Sequence, residues 1–259
     1  MLYVHENNFN TKININYNGK AVEIQNFYST EYLPMRNKIN NLDFNSGDIQ
    51  VFKDATQIFN EYYDKLVKFS KINGIKYQSK FESTFLEEIS VYLFKDLDEI
   101  KNGKLDFFNK GIYAGLKIDT GNRIEIIKKD VDFCIGKKSN VIIDNQPSIV
   151  LILPIIAVEV KTYLDATMFG EVKSSSRSIR SASPNSKTYV LMGYKNIADE
   201  HIISARQDST LTEIFVLRKN ETSPMDYNAV YEYWKEIKDS IMNISMVSQI
   251  SVPGKLLRP

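Results

Sequence analysis

The sequence predicts an α/β fold with a mixed central sheet flanked by helices. The strand-like run Ile149 to Tyr163 is followed by a helical stretch to about Ala182 and then by a second strand-like run, Thr188 to Tyr194. A strand–helix–strand step needs a crossover, which places parallel strands in the sheet. Upstream, Gly111 to Asp119, Arg123 to Lys128 and Val131 to Ile135 follow one another across short turns, as a meander does. Segments of helical periodicity lie on both sides of these strands.

Taken in order, the first fifty residues are rich in Asn, Lys and Tyr, and Asn18-Gly19 suggests a hairpin turn. From Lys53 to about Ile72, Ile58, Phe59, Tyr62, Leu66 and Phe69 recur at helical spacing, and Asn73-Gly74 supplies the stop. A second helix, about Lys80 to Phe94, carries Phe81, Phe85, Leu86, Ile89, Tyr92 and Leu93. Thr120-Gly121-Asn122 turns between the first two strands. Asp165 is placed to cap the helix after the long apolar strand, and Pro184 ends it. Glu213 to Arg218 reads as a last strand, and Asp226 as the cap of a helix with Val230, Tyr233, Trp234 and Ile237.

Composition excludes several classes. The only cysteine, Cys134, rules out an internal disulfide framework and a multi-cysteine zinc site, and it reads as a small buried hydrophobe. His5 and His201 are too few for a histidine-rich metal centre. The longest apolar run, Ile149 to Val158, is too short to span a bilayer, and the polar opening does not read as a signal peptide. A cytoplasmic protein is expected, with no membrane partner. Lys and Arg number 33 against 32 Asp and Glu, so affinity resting on phosphate attraction alone is not expected, although a local basic cleft is compatible with this balance.

Two segments carry the chemistry. Lys128-Lys129-Asp130-Val131-Asp132 runs into the apolar Phe133-Cys134-Ile135, and Ile155-Ile156-Ala157-Val158 runs into Glu159-Val160-Lys161. Glu159 and Lys161, two apart, project from one strand face. A Glu-x-Lys pair on a strand is often a surface ion pair of little consequence, but the apolar flank argues against that here. With an acid on a neighbouring strand, the set suits metal-assisted phosphodiester hydrolysis. The two carboxylates hold Mg²⁺, and the lysine orients or deprotonates the attacking water or stabilises charge on phosphorus. Asp130 is a rival to Asp132, which enters the apolar run directly and is preferred.

Asp132, Glu159 and Lys161 resemble the PD-(D/E)xK pattern of the restriction-endonuclease-like nucleases, with Val131 where the pattern has Pro. The stretch from Glu159-Val160-Lys161-Thr162-Tyr163 to Met168 is similar to one shared by a group of type II restriction endonucleases, as is Ser79-Lys80-Phe81-Glu82 to Glu88. The resemblance spans about residues 79 to 194. It implies a restriction-endonuclease-like core and a type II site-specific deoxyribonuclease acting on double-stranded DNA with Mg²⁺. It also implies products with 5′-phosphate and 3′-hydroxyl ends. The partner is expected to be a second copy in a homodimer, or a different subunit in a heterodimer, because cutting both strands needs two sites. A repair or junction-resolving nuclease with the same core, and a non-catalytic DNA-binding subunit, are the alternatives.

Relatives often add a glutamate from the first core helix to the metal site. A helical wheel puts Glu82 near the middle of the apolar face, Glu88 at its edge, and Glu87 away from it. Glu82 is therefore the first choice as a third metal ligand and Glu88 the second. Lys173, Arg177 and Arg180 form a basic stripe on the helix after the catalytic strand, where neighbouring serines leave room for a phosphate backbone. A single nuclease domain over 1–259 is expected. Residues 1–78 would be an N-terminal elaboration for DNA recognition, with the loops at 37–48 and 196–210 contributing. Residues 79–220 would form the catalytic core, and 221–259 a C-terminal helix and tail.

Overall fold

The computed structural model describes residues 2–76, 79–118, 120–121, 124–142, 148–208 and 210–247, with backbone alone at 205–208 and 244–247. The described chain opens with helices α1 (Val4–Asn14), α2 (Ala21–Phe27) and α3 (Leu33–Asn40). The hairpin expected at Asn18-Gly19 is absent. Asn16, Asn18 and Gly19 do take positive φ, but in a 3-10 turn that joins α1 to α2. Turn residues specify the reversal and not what it connects. Between α2 and α3 the chain continues through a π turn, Tyr28–Tyr32, just before Pro34. Pro34 has no N–H to donate and its ring crowds the preceding turn, which a widened turn accommodates.

The long helix α4 (Ile49–Ile72) starts at Asp48, whose carboxylate accepts from Gln50 N, and α5 (Phe81–Phe94) follows. The short α6 (Asp98–Lys101) leads to β1 (Asp106–Phe108), then β2 (Ile112–Ile118), β3 (Ile124–Lys129), β4 (Phe133–Val141) and β5 (Ile149–Leu164). Next come α7 (Ala166–Ala182), β6 (Lys187–Lys195), α8 (Asp199–Asp208), β7 (Glu213–Arg218) and α9 (Tyr227–Val247). Strands β2 and β3 pair antiparallel as the turn predicted, although Asn122 itself lies outside the described residues. Three-residue β1 carries too little sequence to show periodicity. The loop expected at 196–210 contains α8, and the loop expected at 37–48 is the end of α3 and a 3-10 turn at Phe44–Ser46. The tail beyond Val247 lies outside the described residues.

Among the described residues the sheet is mixed and has seven strands. β5 pairs antiparallel with β4 from Ile149 to Val158, and parallel with β6 from Ile156 to Leu164. β2 joins β5 in parallel at Ile152, where β4 already occupies the other edge, so β2 and β6 share one edge of β5 at successive positions. Ile156, Val158 and Val160 pack into a core shared with Phe133, Phe85, Phe59 and Phe9, and this cluster continues to Ile241. On the opposite face, Ala157 meets Cys134, Ile112 and Ile179 of α7. Burying one such side chain contributes roughly 1.5–3 kcal/mol, so both faces of β5 are held. Among the described residues no helix is long and apolar enough to cross a membrane.

Candidate active site

Pairing between β4 and β5 ends at Phe133 and Val158, one residue short of Asp132. There the Asp132 carboxylate takes the place of a backbone acceptor: Val160 N donates to Asp132 Oδ2 at 2.7 Å. The same oxygen accepts from Lys161 Nζ at 2.9 Å, and Lys161 Nζ also donates to Glu159 Oε2 at 3.2 Å. Glu159 Oε1 accepts from Ser175 Oγ of α7 at 3.2 Å. Asp165 sets the start of α7 as expected, accepting from Met168 N at 2.8 Å, and two and a half turns later the helix presents Ser175. The structure thus brings Asp132, Glu159 and Lys161 together.

Burial shapes the charges of this group. Glu159 is pushed above the usual carboxylate range by burial, against Lys161 and with the help of Asp132. Burial alone would lower Lys161, but Asp132 and Glu159 outweigh it and hold the ammonium above its ordinary value. Lys161 is therefore charged at neutral pH.

The helix glutamates fall otherwise than the wheel predicted. Glu88 is fully buried away from Asp132, where it accepts from His5 N at 2.8 Å, Glu6 N at 3.3 Å, Tyr32 OH at 2.7 Å and Tyr92 OH at 2.6 Å. It caps the N-terminus of α1 from another helix. Glu82 accepts from Tyr63 OH at 2.7 Å, and Tyr63 OH in turn accepts from buried Arg218 Nη2 at 3.2 Å. Glu87 is the one that lines a cleft of about 590 Å³ together with Asp132, Glu159 and Asp130. Its carboxyl is pushed up to about 8, by burial and then by Asp132, with Lys161 and Lys80 opposing. The wheel failed because α5 is packed nearly all round, from Thr84 to Leu86 and from Glu88 to Phe94, so no angle on it marks a solvent face.

Asp130, the rival acid, accepts from Gly111 N at 2.9 Å and so ties the start of β2. Ser175 and Ser176, read as leaving room for a phosphate backbone, are buried. Lys173 lies over the Phe169 ring at 5.5 Å, Arg177 is exposed and Arg180 half-buried. None of the three belongs to the lining of the Asp132 cleft among the described residues. Ser175 and Glu87 were missed by sequence reasoning, and only Ser175 had a local signal, its place on the helix that Asp165 starts. Cys134 is buried, and burial pushes its thiol up.

A hard divalent cation takes oxygen ligands, and Mg²⁺ is commonly held by one or two carboxylates while keeping several waters. Asp132 and Glu159 supply that donor set. Among the described residues no three His, Cys, Asp or Glu side chains stand close enough to share an ion.

Comparison with known proteins bears on this arrangement. The profile of the Bpu10I restriction endonuclease family matches residues 78–244. Among curated proteins none matches. Among solved structures, one described as the native BbvCI A2B2 tetramer at low resolution is similar to this chain. The TM-score is 0.73 at 15% identity, over 97% of this chain and 100% of that one. That likeness shows a restriction-enzyme fold, and the profile match runs through α5, the β4–β5 carboxylates and α9. The chain belongs to the Bpu10I restriction endonuclease family.

Proposed function

We propose that the chain is a catalytic subunit of a type II restriction enzyme that hydrolyses phosphodiesters of double-stranded DNA with Mg²⁺. One observation carries this: the Lys161 ammonium stands 2.9 Å from Asp132 and 3.2 Å from Glu159 at the point where β4 and β5 part. Family membership implies a DNA nuclease, and the chemistry of this group of side chains fits that activity.

Asp132 and Glu159 would hold the metal, the first fixed by the Val160 N–H and the second by the Ser175 hydroxyl. When bound, Mg²⁺ supplies Lewis-acid polarisation of the phosphate and a lowered pKa for coordinated water. Lys161 enters as a charged donor that orients the attacking water and stabilises negative charge developing on the phosphoryl oxygens. Glu87 lines the same cleft, in place of Glu82 and Glu88, but does not stand close enough to share an ion with Asp132 and Glu159.

Two-strand cutting needs two sites. The similar structure is described as an A2B2 tetramer, which favours a heteromeric assembly over the homodimer that the sequence suggested. The test is digestion of mixed-sequence plasmid by the chain alone and co-expressed with the protein encoded beside it, in Mg²⁺ and in EDTA. Discrete bands that vanish with EDTA and with Asp132→Asn are expected. Normal cutting by Asp132→Asn, or intact plasmid under every condition, would overturn the reading. Cutting confined to branched DNA would move it to a junction-resolving nuclease.

A further inference from the structure

The cleft around Asp132 presents a problem to a polyanionic substrate. Glu87, Asp130, Asp132 and Glu159 all line it, and the ammonium of Lys161 is engaged by two of them. Phosphates entering such a cleft need cations that no carboxylate has claimed.

Two side chains on the lining meet this need. Lys80 stands at the N-cap of α5, and Lys110 lies in the turn between β1 and β2. Both are exposed, and neither has an ion-pair partner among the described residues. They come from different elements, one beside Glu87 and Thr84 and the other beside Asp130. Lys80 is near enough to Glu87 for its charge to act on that carboxylate.

The backbone at Lys80 supports a built position. Its φ is +61 and ψ 18, a left-handed conformation that costs a side-chain-bearing residue about 1–2 kcal/mol. Three donors hold its carbonyl there: Thr84 N at 2.9 Å, Thr84 Oγ1 at 2.8 Å and Ser83 Oγ at 3.2 Å. Glycine would fill this turn without strain, whereas the residue here is a lysine on the cleft lining.

We infer that Lys80 and Lys110 are binding residues that receive two phosphates of the DNA strand lying in the Asp132 cleft. The inference rests on the nuclease reading and assigns contacts that this reading does not need. They supply affinity without sequence discrimination, since phosphates are the same at every site.

The test uses the full chain carrying Asp132→Asn, so that DNA is not consumed, and follows binding to a mixed-sequence duplex by fluorescence anisotropy across a salt series. Lys80→Asn, Lys110→Ala and the pair are compared with this parent, because Asn tolerates the left-handed conformation. Each phosphate contact contributes about 0.9 to the slope of log K against log salt. Each substitution should lower the slope by about that amount and weaken binding several-fold, with the pair about additive. Lys80→Arg should restore slope and affinity, which a purely structural role for Lys80 does not predict. A double variant with the parent's slope and affinity, in a protein whose wild type cuts DNA, overturns this inference alone. A parent that binds no duplex, from a wild type that cuts none, overturns both readings.

Discussion

Ser175 of α7 donates its hydroxyl to Glu159 Oε1 at 3.2 Å, so the helix that follows β5 reaches back to fix that strand's own carboxylate. Glu159 has its other oxygen on Lys161. Ser175→Ala therefore leaves Glu159 free to turn without removing any charge. A hydrogen bond to a charged group contributes about 1.5–3 kcal/mol, so kcat/KM should fall about ten- to a hundred-fold. Ser175→Thr, which keeps the hydroxyl, should recover most of it. Initial cleavage rates against DNA concentration decide the matter, and equal rates for Ser175→Ala and wild type would remove Ser175 from the site.

The three glutamates of α5 should separate into three phenotypes. Glu87→Gln should cut poorly and fold normally, because Glu87 lines the Asp132 cleft. Glu82→Gln should cut within a few-fold of wild type, its amide still able to accept from Tyr63. Glu88→Ala should lose stability by about 3 kcal/mol or more, since three buried donors and the half-buried Glu6 N–H lose their acceptor. Cleavage assays paired with denaturant melts distinguish these outcomes, and a Glu82→Gln protein more impaired than Glu87→Gln would reverse the assignment.

His5 and Glu88 set opposing pH dependences within one buried network. Burial holds His5 at about 3, well below its usual 6.5, so between these values the unfolded chain binds the extra proton and acid destabilises. Glu88 is pushed up to about 7 by burial, against hydrogen bonds from Tyr92, Tyr32 and the α1 N–H groups. From its usual 4.5 up to about 7 the native state binds the extra proton, so Glu88 favours folding as pH falls. The two contributions oppose each other between about 4.5 and 6.5. His5→Gln should shift the stability difference between pH 7 and pH 5 in favour of pH 5 relative to wild type, and Glu88→Gln should shift it the other way. Urea melts across this range give the sign directly.

Gly193 of β6 lies where the strand passes close to β5. A Cβ there would sit 2.4 Å from Thr162 O and 3.1 Å from Arg218 Nη2. Backbone must move to admit it, next to the pairing of Lys161 with Met192. Gly193→Ala should cost about 1–3 kcal/mol and also lower cleavage, because the displaced strand carries Lys161. A variant of unchanged melting temperature and activity would show that β6 yields without consequence.

The parts legible in the sequence were those whose signals are local. The apolar run into Glu159 and Lys161, the cap at Asp165 and the periodicity of α4 each state their structure within a few residues. Helices α1 and α2 gave no such statement, since His5 and Phe9 are the buried residues of α1 and the rest is Asn-rich and polar. Their order comes from distant partners: Glu88 on the α1 N–H groups, Tyr62 and Thr84 on the His5 ring. Glu87 was hidden for a related reason. Its place on the cleft lining depends on where β4 and β5 part, and the wheel of a helix packed nearly all round does not encode that direction.

β5 is clasped by β4 on one edge and by β2 and β6 on the other, and is packed by core on both faces. Segments of this kind exchange their amides last, while rims and termini open first. Glu159 and Lys161 continue directly from that enclosed stretch, where β4 has parted and β6 remains paired, whereas Lys80, Lys110 and the outer face of α1 stand on the margins. In such an arrangement substitutions at the margins would change how tightly a phosphate backbone is held while the geometry of Asp132, Glu159 and Lys161 stays as it was. Affinity at the rim and geometry at the carboxylates then become separately adjustable within the same chain.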